Sequence, residues 1–301
     1  MPPGHQDMDT LTAQMKAAHL MCWSGPVDPQ PLRGGITNAN FVVYDRGEKF
    51  VVRIGDDIPL HGILRFHELA VSRAAHDCGV SPEVVHHEPG ALVLRFVEGR
   101  TLSAQDLHAP AMLARVLPVV RTYHTELARH LRGPTLMFWV FHICRDYLAT
   151  AQAGTCCLAG QLSRLAAMNE DLEKAVGSIT LVLAHNDLLP GNFIDDGRKV
   201  WLVDWEYAGW NTPLFDLANL AANCELPPDR EAWLVDTYFG KPADGALRRR
   251  YHATKCASLL RETLWSVVQE QHATIDFDYA DYTDRNHKRL LAAYETFKRL
   301  S

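Results

Sequence analysis

His185-Asn186-Asp187-Leu188-Leu189-Pro190-Gly191-Asn192 sets four polar side chains among apolar residues, and Asp204-Trp205-Glu206 follows shortly after. Asp187 stands five residues before Asn192, the D-x-x-x-x-N spacing of phosphoryl-transfer loops. In such loops a carboxylate accepts the proton of a substrate hydroxyl, while an amide oxygen and a second carboxylate hold a metal on the phosphates. Asp187 is therefore the candidate base, and Asn192 and Asp204 offer the hard oxygens that magnesium selects. The Asp196-Gly197 pair predicts a hairpin over Phe193 to Asp204 with a two-residue turn. Asn192 would then start one strand and Asp204 end the other, bringing both to the end remote from the turn, beside Asp187. Taken singly, each residue reads as an ordinary cap or Asx turn; the constellation reads as a phosphotransferase. An extended backbone would put Glu206 on the same side as Asp204, where it could support the metal, meet a cationic substrate, or form a structural salt bridge.

Four further features suit the same chemistry. Gly34-Gly35-Ile36-Thr37-Asn38 precedes a strand, and its glycines would let backbone amides approach nucleotide phosphates. The candidate contacts there are Gly34, Gly35, Thr37 and Asn38. Arg53, on the next strand, would fork onto phosphate oxygens with Glu68 of the following helix as its partner. Phe96 and Val97, in an extended segment ending at Gly99, would present backbone groups to the adenine edge. ATP and Mg2+ are the implied cofactors.

The elements needed to position these groups are legible. Asp9-Thr10 predicts a capped helix through Leu20. Strands at Asn40 to Tyr44 and Phe50 to Ile54 flank a turn containing Gly47. A helix is expected from His61 to Asp77, closed near Gly79, then a strand pair at Val84-Val85 and Leu92 to Phe96 broken at Pro89-Gly90. Beyond Gly99, helices are expected over Pro110 to Leu131 and Leu158 to Val176, a strand over Leu181 to Ala184, and mostly helix from Phe215 onward. The expected architecture is α+β and two-lobed: residues 1–97 a small β-rich N-lobe, residues 98–301 a larger, mainly helical C-lobe.

The 301 residues carry a formal net charge of -6, which argues against nucleic acid as partner. Seven scattered cysteines without a CxxC pair suggest reduced thiols, and no secretory signal or membrane-length apolar run is visible, so a cytoplasmic location is expected. The oligomeric state is open, a homodimer among the options.

His185 to Asn192 followed by "VDWEYAGWNTPLFDLANL" resembles the aminoglycoside phosphotransferase and choline kinase superfamily, and is most similar to its choline/ethanolamine kinases. "RGGITNANFVV" resembles that family's nucleotide loop, and "LWSVVQEQHATIDFDYADY" its C-terminal amine pocket. The likeness runs from about Arg33 to Tyr282. It implies the two-lobed protein-kinase-like fold and an ATP- and magnesium-dependent phosphorylation of an amino alcohol, choline first and ethanolamine next, feeding phospholipid or surface phosphocholine synthesis. Arginine in the place of Arg53 is common in that family. Trp265 and Tyr282 would wall the pocket, since aromatic faces hold alkylammonium groups. Where relatives carry an aromatic one helical turn before Trp265, this chain has Glu262, a carboxylate better suited to a cation with N–H donors. The alternatives are an aminoglycoside or other small-molecule phosphotransferase of the superfamily, and a non-catalytic nucleotide-binding scaffold. The latter has no need of Asp187, Asn192 and Asp204 together.

Overall fold

The computed structural model describes residues 5–32, 38–272 and 277–300. Contacts divide the chain into two units: Met1–Thr101 with Glu126–Pro134 and Phe193–Tyr207, and Leu102–Thr125 with Thr135–Asn192 and Ala208–Ser301. The fold is α+β, as expected.

The first unit opens with helix α1 (His5–Ala18) and is built on an antiparallel sheet. Its strands are β1 (Gln30–Pro31), β2 (Ala39–Asp45), β3 (Glu48–Ile54), β4 (Val84–Glu88) and β5 (Ala91–Arg95), in the order β1-β2-β3-β5-β4. Arg46 and Gly47, with φ of 51° and 79°, close the β2–β3 hairpin, a backbone whose twist matches that of the strands. Alternation sends Phe41, Val43, Phe50, Val52 and Ile54 into a core with Ala17 and Leu20 of the α1 region. The same alternation places Arg53, next to Val52, on the opposite face of β3.

Helix α2 (Arg65–Asp77) begins later than the expected His61. Pro59–His61 form a 3-10 turn, and Gly62 at φ 69° ends it before the helix proper starts. Asp57 Oδ1 accepts the Arg65 backbone N–H at 2.7 Å, capping a helix whose N-cap residue, Leu64, cannot. A second antiparallel sheet joins β6 (Arg100–Thr101), β8 (Phe193–Asp195) and β9 (Val200–Leu202) in the order β6-β8-β9. A Cβ on Gly99 would meet the Asp195 carbonyl oxygen at 2.7 Å, so this close approach requires glycine.

The β8–β9 hairpin departs from expectation. Asp195 pairs with Val200, so the turn is four residues, Asp196 to Lys199, rather than Asp196-Gly197 alone. Asp196 Oδ1 accepts the Arg198 and Lys199 N–H groups at 2.7 Å each, which favours the longer turn. Consequently Asn192 lies in a 3-10 turn before β8, and Asp204 lies two residues beyond β9.

The second unit is helical: α3 (Ala104–His108), α4 (Pro110–His130, as far as Thr125), α5 (Val140–Ala153), α6 (Leu162–Val176), α7 (Pro213–Asn223), α8 (Pro228–Phe239), α9 (Gly245–His272) and α10 (Tyr279–Lys298). α5 falls where the sequence reading assigns nothing, and α6 starts at Leu162 because Ala159–Gln161 form a 3-10 turn. α9 is buried on nearly every face from Tyr251 to Gln269, and α5, α6, α7 and α10 all pack against it. A short ladder of β7 (Val182–Ala184) and β10 (Gly209–Asn211) completes the unit. All seven cysteines are free, and no helix among the described residues is long and apolar enough to cross a membrane.

Candidate active site

In the sheet-bearing unit, five charged side chains form one network. Arg53, 8 % exposed, meets Glu68 at 3.2 Å, Asp204 at 2.6 Å and Glu206 at 3.4 Å. Arg65 bridges Glu68 at 2.6 Å and Glu206 at 3.1 Å, and Asn38 Nδ2 donates to Glu206 Oε2 at 3.0 Å. The three carboxylates keep the Arg53 guanidinium charged although burial opposes it. Burial, then the neighbouring Asp204 charge, pushes the Glu206 carboxyl above its ordinary range, against Arg53 and Arg65.

The backbone holds the two acids of Asp204-Trp205-Glu206 by a turn, not by the extended strand expected. Asp204 has φ 72°, and Trp205 is buried, its Nε1 donating to Ser81 Oγ at 3.1 Å. A left-handed Asp is tolerable where most residues would be strained. Carboxylate oxygens of Glu68, Asp204 and Glu206 lie within 4.8 Å of one another, a hard-oxygen set compatible with magnesium. A cavity of about 350 Å³ beside this network is lined by Asn38, Arg53, Arg65, Phe66 and Glu68 among others; Phe96 and Val97 are not part of that lining. Phe96 instead lies under the Lys49 ammonium, 3.5 Å from ring centre to Nζ. Gly34, Gly35 and Thr37 lie outside the described residues.

In the helical unit the loop after β7 is anchored by a residue that sequence reading missed, Asp216. Its carboxylate, fully buried in the first turn of α7, accepts the backbone N–H of His185 at 2.9 Å and of Asn186 at 2.8 Å. Tyr123 donates its hydroxyl to it at 2.5 Å, and His124 Nε2 lies 2.9 Å away. Burial would raise the Asp216 carboxyl, but His124 and Tyr123 hold it below the usual range. Asn186, at φ 66°, donates to the Gly209 carbonyl and accepts from Asn211 at 2.9 Å. Asn219 Oδ1 takes the Leu188 N–H at 2.6 Å. The loop's backbone is thereby fixed on both sides of Asp187.

The Asp187 backbone N–H donates to His185 Nδ1 at 3.3 Å, and its carbonyl accepts from Asn192 Nδ2 at 3.0 Å. With Nδ2 so used, Oδ1 is the Asn192 atom suited to a cation. The Asp187 carboxylate lies 3.5 Å from Arg261 Nη1, which also donates to Glu262 Oε1. Tyr282 Oη donates to Glu262 Oε2 at 3.1 Å. The Glu262 charge, then burial, pushes the Tyr282 hydroxyl well up. Trp265 sits edge-on to Tyr282, with ring centres 6.1 Å apart, and to Tyr279 at 6.2 Å; Phe277 adds a fourth ring 4.9 Å from Tyr279. One unit thus brings together a loop carboxylate, a buried arginine–glutamate pair and an aromatic cluster. Arg261 carries no local signal, since an arginine in a long helix ordinarily faces water.

A sequence model described as choline/ethanolamine kinase matches residues 30–227. Protein LicA of Haemophilus influenzae is 28% identical over 286 residues, covering 89% of this chain and 79% of that protein. The crystal structure of a choline/ethanolamine kinase family protein from Mesorhizobium loti is 30% identical with a TM-score of 0.79, covering 97% of each chain. The choline kinase LicA of Streptococcus pneumoniae, 22% identical, matches in fold with a TM-score of 0.77 over 95% of this chain and 99% of its own. With its kinase-like α+β fold, the chain belongs to the choline/ethanolamine kinase family of small-molecule kinases.

Proposed function

We propose that the protein transfers the terminal phosphoryl group of ATP to the hydroxyl of a small cationic amino alcohol, ethanolamine or choline, with magnesium. The observation that carries this reading is the row Asp187–Arg261–Glu262–Tyr282 beside Trp265, which offers a proton acceptor and a cation site within one unit. Asp187 takes the hydroxyl proton as the alcohol oxygen bonds to the terminal phosphorus and the bond to ADP breaks. Arg53 contacts the phosphates, paired with Glu68 until they arrive. Asn192 and Asp204 would hold magnesium, which when bound neutralises phosphate charge; the donor chemistry of both residues fits. Glu206 supports Arg53 and the metal side of the site. Gly34, Gly35, Thr37 and Asn38 cradle the nucleotide, and the backbone at Phe96 and Val97 receives its base. Trp265 and Tyr282 pack on the ammonium and Glu262 takes its N–H groups.

An aminoglycoside is disfavoured, because the aromatic rings beside Glu262 suit one small ammonium group better than a polyamine sugar, which calls for a broad acidic surface. Free thiols and ATP use suit the cytoplasm. The test is ADP release with ethanolamine, its methylated forms, choline and an aminoglycoside. Turnover of the amino alcohols is expected; turnover of the aminoglycoside alone overturns the substrate, and no turnover at all favours a scaffold.

A further inference from the structure

Arg261 belongs to none of the roles above, yet it occupies the middle of them. Its guanidinium is buried, with a side chain 3 % exposed, 5.7 Å from the Phe138 ring centre. One nitrogen, Nη1, faces both Asp187 Oδ1 and Glu262 Oε1. Two carboxylates and one guanidinium leave this cluster with one net negative charge, which matches a substrate bearing one positive charge. A single nitrogen serving two carboxylates also means that what happens to one is felt by the other.

We propose that Arg261 is a positioning residue that ties recognition of the amine to the placement of Asp187, a role that rests on the amino-alcohol reading. In the amine-free state the guanidinium is shared. An ammonium bearing N–H groups competes with Arg261 for Glu262, whose second oxygen stays with Tyr282. The guanidinium then turns fully to Asp187 and fixes the carboxylate for the incoming hydroxyl. A trimethylammonium has no N–H to donate, so it leaves Arg261 shared and gains less from this arrangement. Arg261 thereby sets a preference for primary and secondary amines.

The consequence is an opposed change in two constants. Arg261→Leu leaves two uncompensated carboxylates, so the KM for ethanolamine falls about tenfold, a single charge-assisted contact being worth that much, while kcat falls by a similar factor. A residue that merely packs would raise KM and lower kcat together. Arg261→Lys keeps the charge on a point donor and recovers much of kcat. Because Arg261→Leu can fail to fold by stranding buried charge, Arg261→Leu/Glu262→Gln supplies a charge-balanced counterpart. In it the ethanolamine KM rises above wild type.

The experiment is steady-state kinetics with ethanolamine and choline for the wild type and these three variants, with calorimetric binding of ethanolamine to the nucleotide-free proteins. Opposed movement of KM and kcat, larger for ethanolamine than for choline, with rescue by lysine, is the expected result. Parallel movement in an active enzyme overturns the role of Arg261 and leaves the kinase reading intact. If the wild type phosphorylates no amino alcohol while Arg261→Leu or its lysine counterpart still alters ethanolamine affinity, the kinase reading fails and the link to amine recognition stands. If no form binds ethanolamine, both fail.

Discussion

Two buried carboxylate clusters, one in each unit, are satisfied by different partners. In the sheet-bearing unit Glu68 and Glu206 are neutralised by the guanidinium groups of Arg53 and Arg65, side chain to side chain. In the helical unit Asp216 is held by two backbone N–H groups, a phenol and an imidazole. Guanidinium–carboxylate pairs can be re-made against phosphate or metal by rotating a side chain. Amide-to-carboxylate bonds can change only if the loop backbone moves. The network proposed to admit a nucleotide is built from exchangeable charge, and the loop that carries Asp187 is fixed to the fold.

That contrast can be tested in order of expected effect. Asp187→Asn removes the proton acceptor without touching the anchors, so kcat should fall ~10²–10⁴-fold with ATP affinity and melting temperature unchanged. Near-normal turnover in the folded variant would end the assignment of Asp187 as base. Asp216→Asn replaces an acceptor by a donor against buried N–H groups and should cost about 3 kcal/mol of stability, read from the urea midpoint. An unchanged midpoint would show that the loop is held by something else.

On the exchangeable side, Asp204→Asn suits the left-handed backbone there better than alanine would. It should reduce by about tenfold or more the tightening of ATP binding that magnesium brings, a charged metal ligand having been lost. If magnesium tightens ATP equally in the variant, another residue holds the ion. The smallest effect belongs to Tyr282→Leu, expected to weaken the amine substrate about two- to thirty-fold, the range of one cation–aromatic contact, with ATP affinity unaltered. A change in ATP affinity instead would move Tyr282 out of the amine pocket.

The sequence made visible the residues that break a local pattern and hid those whose roles come from distant partners. Asp187, Asn192, Asp204 and Arg53 announce themselves because a charged or amide residue at a strand end or within an apolar run breaks a local pattern. The β2–β3 hairpin was legible through Arg46-Gly47, where chain chemistry alone sets the turn. The β8–β9 turn was misjudged because the Asp196 side chain, not glycine, decides its length. Asp216 was missed since an acid in the first turn of a helix after Thr212-Pro213 is sufficiently explained by the helix itself. Its function depends on His185, thirty-one residues away, and on Tyr123, ninety-three away. Arg261 and Arg65 were hidden likewise, their roles arising only from what α9 and α2 bring beside them.

The central position of α9 also bears on how the chain is made. Its partners α5, α6 and α7 leave the ribosome first and must wait for residues 245–272 before their apolar faces are covered. At bacterial or eukaryotic elongation speeds of roughly 5–20 residues per second, that interval is about 7–26 seconds from Val140 to His272. Nascent chains arrested before Gly245 should therefore engage chaperones heavily, and this dependence should disappear once His272 has cleared the exit tunnel.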